Sequence, residues 1–370
     1  MSRLHDSPPS VCPACEDPDV TAAAPPVTDS PLIRAARGLP TAHVPVWFMR
    51  QAGRSLPEYR ALRQGVSMLE ACMRPDLITE ITIQPVRRHG VDAAILFSDI
   101  VLPIKALGVD LDIVTGVGPV VAAPITDRSG VDALPTFDAG AFGFVEESVR
   151  ELVRELGATP LIGFAGAPYT LASYLIEGGP SKDHVKTKAM MHGAPELWDS
   201  LMRRLALISA GFLRVQIEAG AAAVQLFDSW AGGLAPADYR AHVLPHSAAV
   251  FSSIADLPVP RIHFGVATGE ILADMASAGV EVVGVDWRVP LDRASTRIKP
   301  GQALQGNLDP ALVFAPWSVL RQQAADVIEL GRSAAGHIFN LGHGVLPGTD
   351  PDVLSRLVEF IHSSESSAGG

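Results

Sequence analysis

The sequence predicts an α/β protein of the (β/α)8 TIM barrel class, folded as a single domain, and three observations carry that expectation. Short apolar runs alternate with longer amphipathic stretches eight times along the chain. Glycines stand at Gly90, Gly157, Gly220, Gly279 and Gly331, where helices would stop just ahead of strands. Polar residues follow the ends of the apolar runs, and in an eight-stranded barrel those ends share one rim.

In chain order, the candidate strands cover 44–48, 93–97, 161–164, 223–227, 261–264, 282–285, 303–305 and 337–341. Between them lie helical patterns. The pattern over 74–89 opens with Pro75 and Asp76, good first-turn residues. Residues 194–219 place Leu197, Leu201, Leu205, Ile208, Phe212, Val215 and Ile217 close to a 3.6-residue period. Residues 236–256, 268–277, 310–331 and 350–363 read the same way. An open doubly wound sheet is the rival. It would favour a glycine-rich nucleotide turn after the first strand, where this chain has Met49-Arg50-Gln51-Ala52-Gly53-Arg54. Residues 1–30, rich in Pro, Ser, Asp and Ala without a period, read as a disordered extension, and 363–370 as a disordered tail, leaving 31–362 for the barrel.

Composition narrows the class of protein. Of 370 residues, 48% are hydrophobic and only 19% charged, which suits one large globular core. There is no run of about 18 apolar residues and no basic-then-apolar leader, so the expectation is a soluble, cytoplasmic protein with no membrane partner. Three cysteines, Cys12, Cys15 and Cys72, are too few for a disulfide framework. A net charge of −11 without a basic stripe argues against nucleic acid. In such an acidic chain an anion site must concentrate positive charge locally, so arginines in apolar settings are the place to look.

Arg50 and Arg54 answer that description, four residues apart after the first strand with small Ala52 and Gly53 between them. Planar guanidinium forks pair bidentately with carboxylates and stay charged, although two such arginines also suit ordinary structural ion pairs. Asp99 ends an apolar run, which suits either a helix cap or a buried catalytic acid. Residues 163–174 read as a glycine-bearing loop with two of the four tyrosines, Tyr169 and Tyr174. Ser229 follows Asp228 at a strand end and suits a structural turn better than a functional group, whereas His343, between Gly342 and Gly344, is read equally as structural or functional. Asp286 and Asn307 follow two later strands. Cys12 and Cys15 have zinc-like spacing but no second pair, and there is no P-loop, HExxH or dinucleotide fingerprint.

Taken together and in this order, the motifs resemble uroporphyrinogen decarboxylases. The resemblance rests on Pro45-Val46-Trp47-Phe48-Met49-Arg50-Gln51-Ala52-Gly53-Arg54, on Phe97-Ser98-Asp99-Ile100, and on the 163–179 segment. Phe227-Asp228-Ser229 and Asn340-Leu341-Gly342-His343-Gly344 complete it, and it covers about 31–362. It implies a homodimeric barrel that converts uroporphyrinogen III to coproporphyrinogen III in porphyrin and heme biosynthesis. Four acetates lose CO2 with no metal or organic cofactor. It also implies substrate contacts from Arg50, Gln51, Ala52, Gly53, Arg54, Asp99, Tyr174, Ser229 and His343, with Asp99 and Arg50 catalytic. Two alternatives stay open. One is a corrinoid-linked, zinc-dependent methyltransferase on the same fold, for which Cys72 alone is a poor ligand set. The other is a non-catalytic tetrapyrrole-binding barrel.

Overall fold

The computed structural model describes residues 27–364. Nine strands occur there: β1 (Ala94–Ile95), β2 (Leu111–Val114), β3 (Gly118–Val121), β4 (Leu161–Gly166), β5 (Ala223–Asp228), β6 (Arg261–Gly265), β7 (Val282–Gly284), β8 (Ala303–Gln305) and β9 (His337–Ile338). Seven form one curled parallel sheet in the order β1-β4-β5-β6-β7-β8-β9, with helices between consecutive strands.

The eighth stave is the first apolar run, which forms no ladder of its own. Val46 bridges Phe339 in parallel; Phe339 N donates to Pro45 O at 2.8 Å and Trp47 N to Phe339 O at 3.3 Å. On its other side Asp92 N donates to Val46 O at 2.8 Å, so residues 45–47 close the sheet between its two edges. Side chains alternate across each strand, and the register puts Phe164, Gln225 and Ile262 on one face. That face is the barrel interior: Gln305 Nε2 donates to Gln225 Oε1 at 2.8 Å, and Trp47 Nε1 to Gln305 Oε1 at 3.1 Å. These buried amides pair across the barrel, with Gln225 Nε2 left without a partner among the described residues.

Several expected elements differ in detail. The 236–256 pattern is two helices, Pro236–His242 and Leu244–Ser252, because Pro245 has no N–H to continue the first. The 310–331 pattern breaks likewise: Pro316 holds Ala315 extended, so a 3-10 turn at Pro310–Phe314 precedes the helix Trp317–Gly331. The segment read as a loop over 163–174 is the end of β4 followed by the helix Pro168–Glu177, which Pro168 opens in its first turn. The antiparallel hairpin β2–β3 was not anticipated. Of the expected N-terminal extension, 1–26 lies outside the described residues, with Cys12 and Cys15. Residues 27–30 form a 3-10 turn at Val27–Asp29 followed by buried Ser30. Within the expected C-terminal tail, 365–370 also lies outside the described residues. Among the described residues no helix is long and apolar enough to cross a membrane.

Candidate active site

Arg50 occupies the turn that leaves the closing stave, with φ +60°, a left-handed conformation that costs a residue bearing a Cβ about 1–3 kcal/mol. Its surroundings hold it there. Met49 N donates to Asn340 Oδ1 at 3.1 Å, and Val345 N to Met49 O at 2.8 Å. Gln51, fully buried, accepts from Phe48 N at 3.0 Å and donates to Ala93 O at 2.9 Å. The Gln51 side chain is therefore spent on the turn. Arg50 itself lies over Gly344, where a Cβ would sit 2.5 Å from Arg50 Cδ.

Neither Arg50 nor Arg54 makes an ion pair among the described residues, and both are exposed at the barrel mouth. Ala52 and Gly53 sit between them with main-chain N–H groups that find no acceptor among the described residues. Gly53 must remain glycine, since a Cβ would meet Arg50 O at 2.9 Å.

Asp99 stands in the turn that follows β1. Its Oδ1 accepts from Val101 N at 3.0 Å in the turn entering the helix Leu102–Ala106, and the residue is half-buried. Burial pushes its carboxyl above the usual range, while the Val101 amide and the Arg50 guanidinium pull it back. Tyr174 faces the same two groups: burial and the Asp99 charge raise its phenol, with Arg50 opposing, so it stays a protonated donor. The Tyr174 ring meets Trp230 edge-on at 5.6 Å, and Trp230 meets His184 at 4.7 Å.

His343 is neutral at pH 7. Burial, then the nearby Arg50 and Arg288 cations, lower it to about 4. Gly344 N donates to His343 Nδ1 at 2.7 Å, which leaves the proton on Nε2 as a donor toward an incoming acceptor. Ser229 is half-buried at the end of β5. Its neighbour Asp228 points away, into the layer behind the sheet, accepting from Thr170 Oγ1 at 2.9 Å; Thr170 Oγ1 in turn accepts from Trp230 N. Asp286 accepts from Ala267 N at 2.6 Å and from Arg288, and Asn307 donates to Asp286 O and Val289 O. Both hold loops in place.

Sequence reasoning missed two kinds of residue here. Arg288 stacks on Trp287 at 4.0 Å, is tethered by Asp286, and acts on His343. The Asp-Trp-Arg run after β7 was the available signal. The aromatic floor was also missed: Phe164, Phe227 and Phe264 meet edge to face at 5.3 and 5.9 Å inside the barrel. A separate cavity of about 430 Å³ at the opposite end, beside Arg37, Val280 and Lys299, contains none of the expected site residues. Cys72 is buried and its thiol is pushed up by burial, so it is a poor metal ligand.

The family model described as uroporphyrinogen decarboxylase matches residues 28–364. The uroporphyrinogen decarboxylase of Thermobifida fusca is 64% identical over 335 residues, which is 90% of this chain and 93% of that protein. That of Salinispora tropica is 65% identical, covering 90% of each chain. Among solved structures, a methyltransferase from Methanosarcina mazei superposes with a TM-score of 0.75 at 21% identity, over 90% of this chain and 97% of that one. At that identity the likeness shows the fold alone.

Proposed function

Because the chain belongs to the uroporphyrinogen decarboxylase family, we propose that it decarboxylates uroporphyrinogen in porphyrin biosynthesis, with Asp99 and Arg50 as its catalytic residues. The observation that carries the residue assignment is electrostatic. A buried carboxylate and an arginine without an ion pair act on each other, and on Tyr174, across one rim.

The chemistry asks for that pairing. Loss of CO2 from a pyrrole acetate needs an electron sink. A proton added to the ring carbon makes an iminium-like ring; the C–CO2 bond then breaks and its electrons form an exocyclic double bond that neutralises the ring. A second proton turns that methylene into the methyl group, and the ring carbon loses the first. A carboxylate fixed where positive charge develops on the pyrroles stabilises that state without reorganising. Asp99 accepts the pyrrole N–H groups, each charge-assisted bond contributing roughly 1.5–3 kcal/mol. Arg50 neutralises the reacting acetate's surroundings and assists protonation by positioning the donor, since a guanidinium gives up a proton poorly near neutral pH. Arg54, Tyr174, Ser229 and His343 clamp the remaining acetates and propionates, aided by the free amides of Ala52 and Gly53.

The reading extends to a homodimer in the cytoplasm. The family resemblance supports the first, and the scarcity of cysteine supports the second. Sedimentation velocity and cell fractionation test them. The reaction itself is tested by anaerobic incubation of the chelator-treated protein with uroporphyrinogen III. Stepwise hepta- to tetracarboxylate products are expected; tight binding without CO2 release would reduce the chain to a binding barrel.

A further inference from the structure

At the opposite end of the barrel from Arg50, three side chains converge from three separate parts of the chain. His43 precedes the closing stave, Asp92 precedes β1, and His362 ends the last helix, Pro351–His362. His43 Nε2 lies 2.7 Å from Asp92 Oδ1, and His362 Nε2 lies 2.8 Å from Asp92 Oδ2. The two imidazole rings stand 4.4 Å apart, tilted toward the same carboxylate. Val46 N donates to Asp92 Oδ2 at 2.7 Å and fixes the carboxylate from behind. The ligand-type atoms of all three residues fall within 4.8 Å of one another.

We propose that His43, Asp92 and His362 form a binding site for a divalent transition-metal cation of the zinc class. The donor set is two imidazoles and a carboxylate, which suits a borderline ion of tetrahedral preference. With ligand bonds of about 2.0–2.2 Å, donors of a tetrahedral site stand roughly 3.3–3.6 Å apart, so each Nε2 backs off its Asp92 oxygen by about half an ångström while the more widely spaced donors, all within 4.8 Å, draw together. The ion replaces the protons that the Nε2 atoms share with Asp92, so binding releases protons. The Val46 amide supplies the outer hydrogen bond that ligating carboxylates ordinarily carry. His43 and His362 keep 25% and 32% of their side-chain surface, so water completes the fourth position. The site takes no part in the decarboxylation and is independent of it. Its effect is to tie the entry of the closing stave to the last helix.

Zn2+ alone is the probe. Metal-free full-length protein is titrated with zinc against a chromophoric chelator, and Co2+ is added separately to report the ligand atoms. One ion per chain is expected, bound at least roughly tenfold more weakly in His362→Gln and in His43→Gln. Binding should be unchanged in His192→Gln, which alters the looser trio of His192, Asp238 and His242, where the ion-pair distance is 3.6 Å. Zinc should raise the Tm of the wild type but not of the two site variants. Three results overturn the proposal: undiminished binding in both site variants, a thiolate charge-transfer band with Co2+ that assigns the ion to cysteine, or no stoichiometric binding by a wild-type chain that still folds.

Discussion

The methylene chain of Arg50 lies directly across the α-carbon of Gly344, close enough that a Cβ there would fall 2.5 Å from Cδ and 2.7 Å from Cγ. The residue beside His343 thus sets where the guanidinium goes. Gly344→Ala is expected to lower kcat by at least tenfold while the protein unfolds cooperatively at nearly the wild-type urea concentration. Normal turnover in that variant would mean that Arg50 tolerates displacement.

Asp99→Asn keeps the shape and removes the charge. With several charge-assisted bonds at stake, kcat should fall by a factor of about 100 or more, and KM should change little. Because burial raises its carboxyl above the ordinary 3.8, the acid limb of wild-type kcat/KM should also lie above that value. Steady-state rates across the pH range, measured anaerobically, check both points.

Arg54→Ala should act on binding. Losing one carboxylate clamp of roughly 1.5–3 kcal/mol corresponds to a rise in KM of about 10- to 150-fold with kcat nearly kept. A pure loss of kcat would move Arg54 into the chemistry.

His343 with a proton affinity near pH 4 does not titrate between pH 6 and 8. Its contribution to KM, taken as the ratio of wild type to His343→Gln, should therefore be flat over that range. An inflection near 6.5 in the ratio would show a solvated imidazole instead.

His337 gives a stability prediction whose sign follows from proton counting. It is buried, its Nε2 donates to Gly306 O at 2.8 Å, and it is held down to about 4 by desolvation. Below pH 6.5 the unfolded chain takes up a proton that the folded chain refuses until about 4. Stability should therefore fall as pH drops through that window, by up to about 3 kcal/mol, and be independent of this group above it. Urea unfolding at pH 7 and pH 5 should show the loss, reduced in His337→Gln.

Much of this architecture was legible in the sequence, for identifiable reasons. Strands such as β4, β5 and β6 are buried on both faces, so their apolar runs stand out. Leu111–Val121 was missed because its hairpin is short, half exposed and lies outside the barrel. Tyr174 was found, but on a helix and not in a loop, because glycines near Gly163 belong to the end of a strand. Gln51 entered the expected substrate contacts only through the resemblance. Only the fold reveals that Phe48 and Ala93 consume its amide. Arg288 escaped notice because its relation to His343 joins two separate strand ends, and only the Asp-Trp-Arg run after β7 hinted at it.

The seam between residues 45–47 and Phe339 has a consequence for when the enzyme comes into being. The stave that ends at Arg50 is made early, yet its hydrogen-bond partner and the Gly344 beneath the guanidinium are among the last residues synthesised. A chain still on the ribosome therefore carries its first arginine pair unplaced for most of its synthesis. Catalytic competence should arrive in a single step, when the final strand emerges and locks the ring.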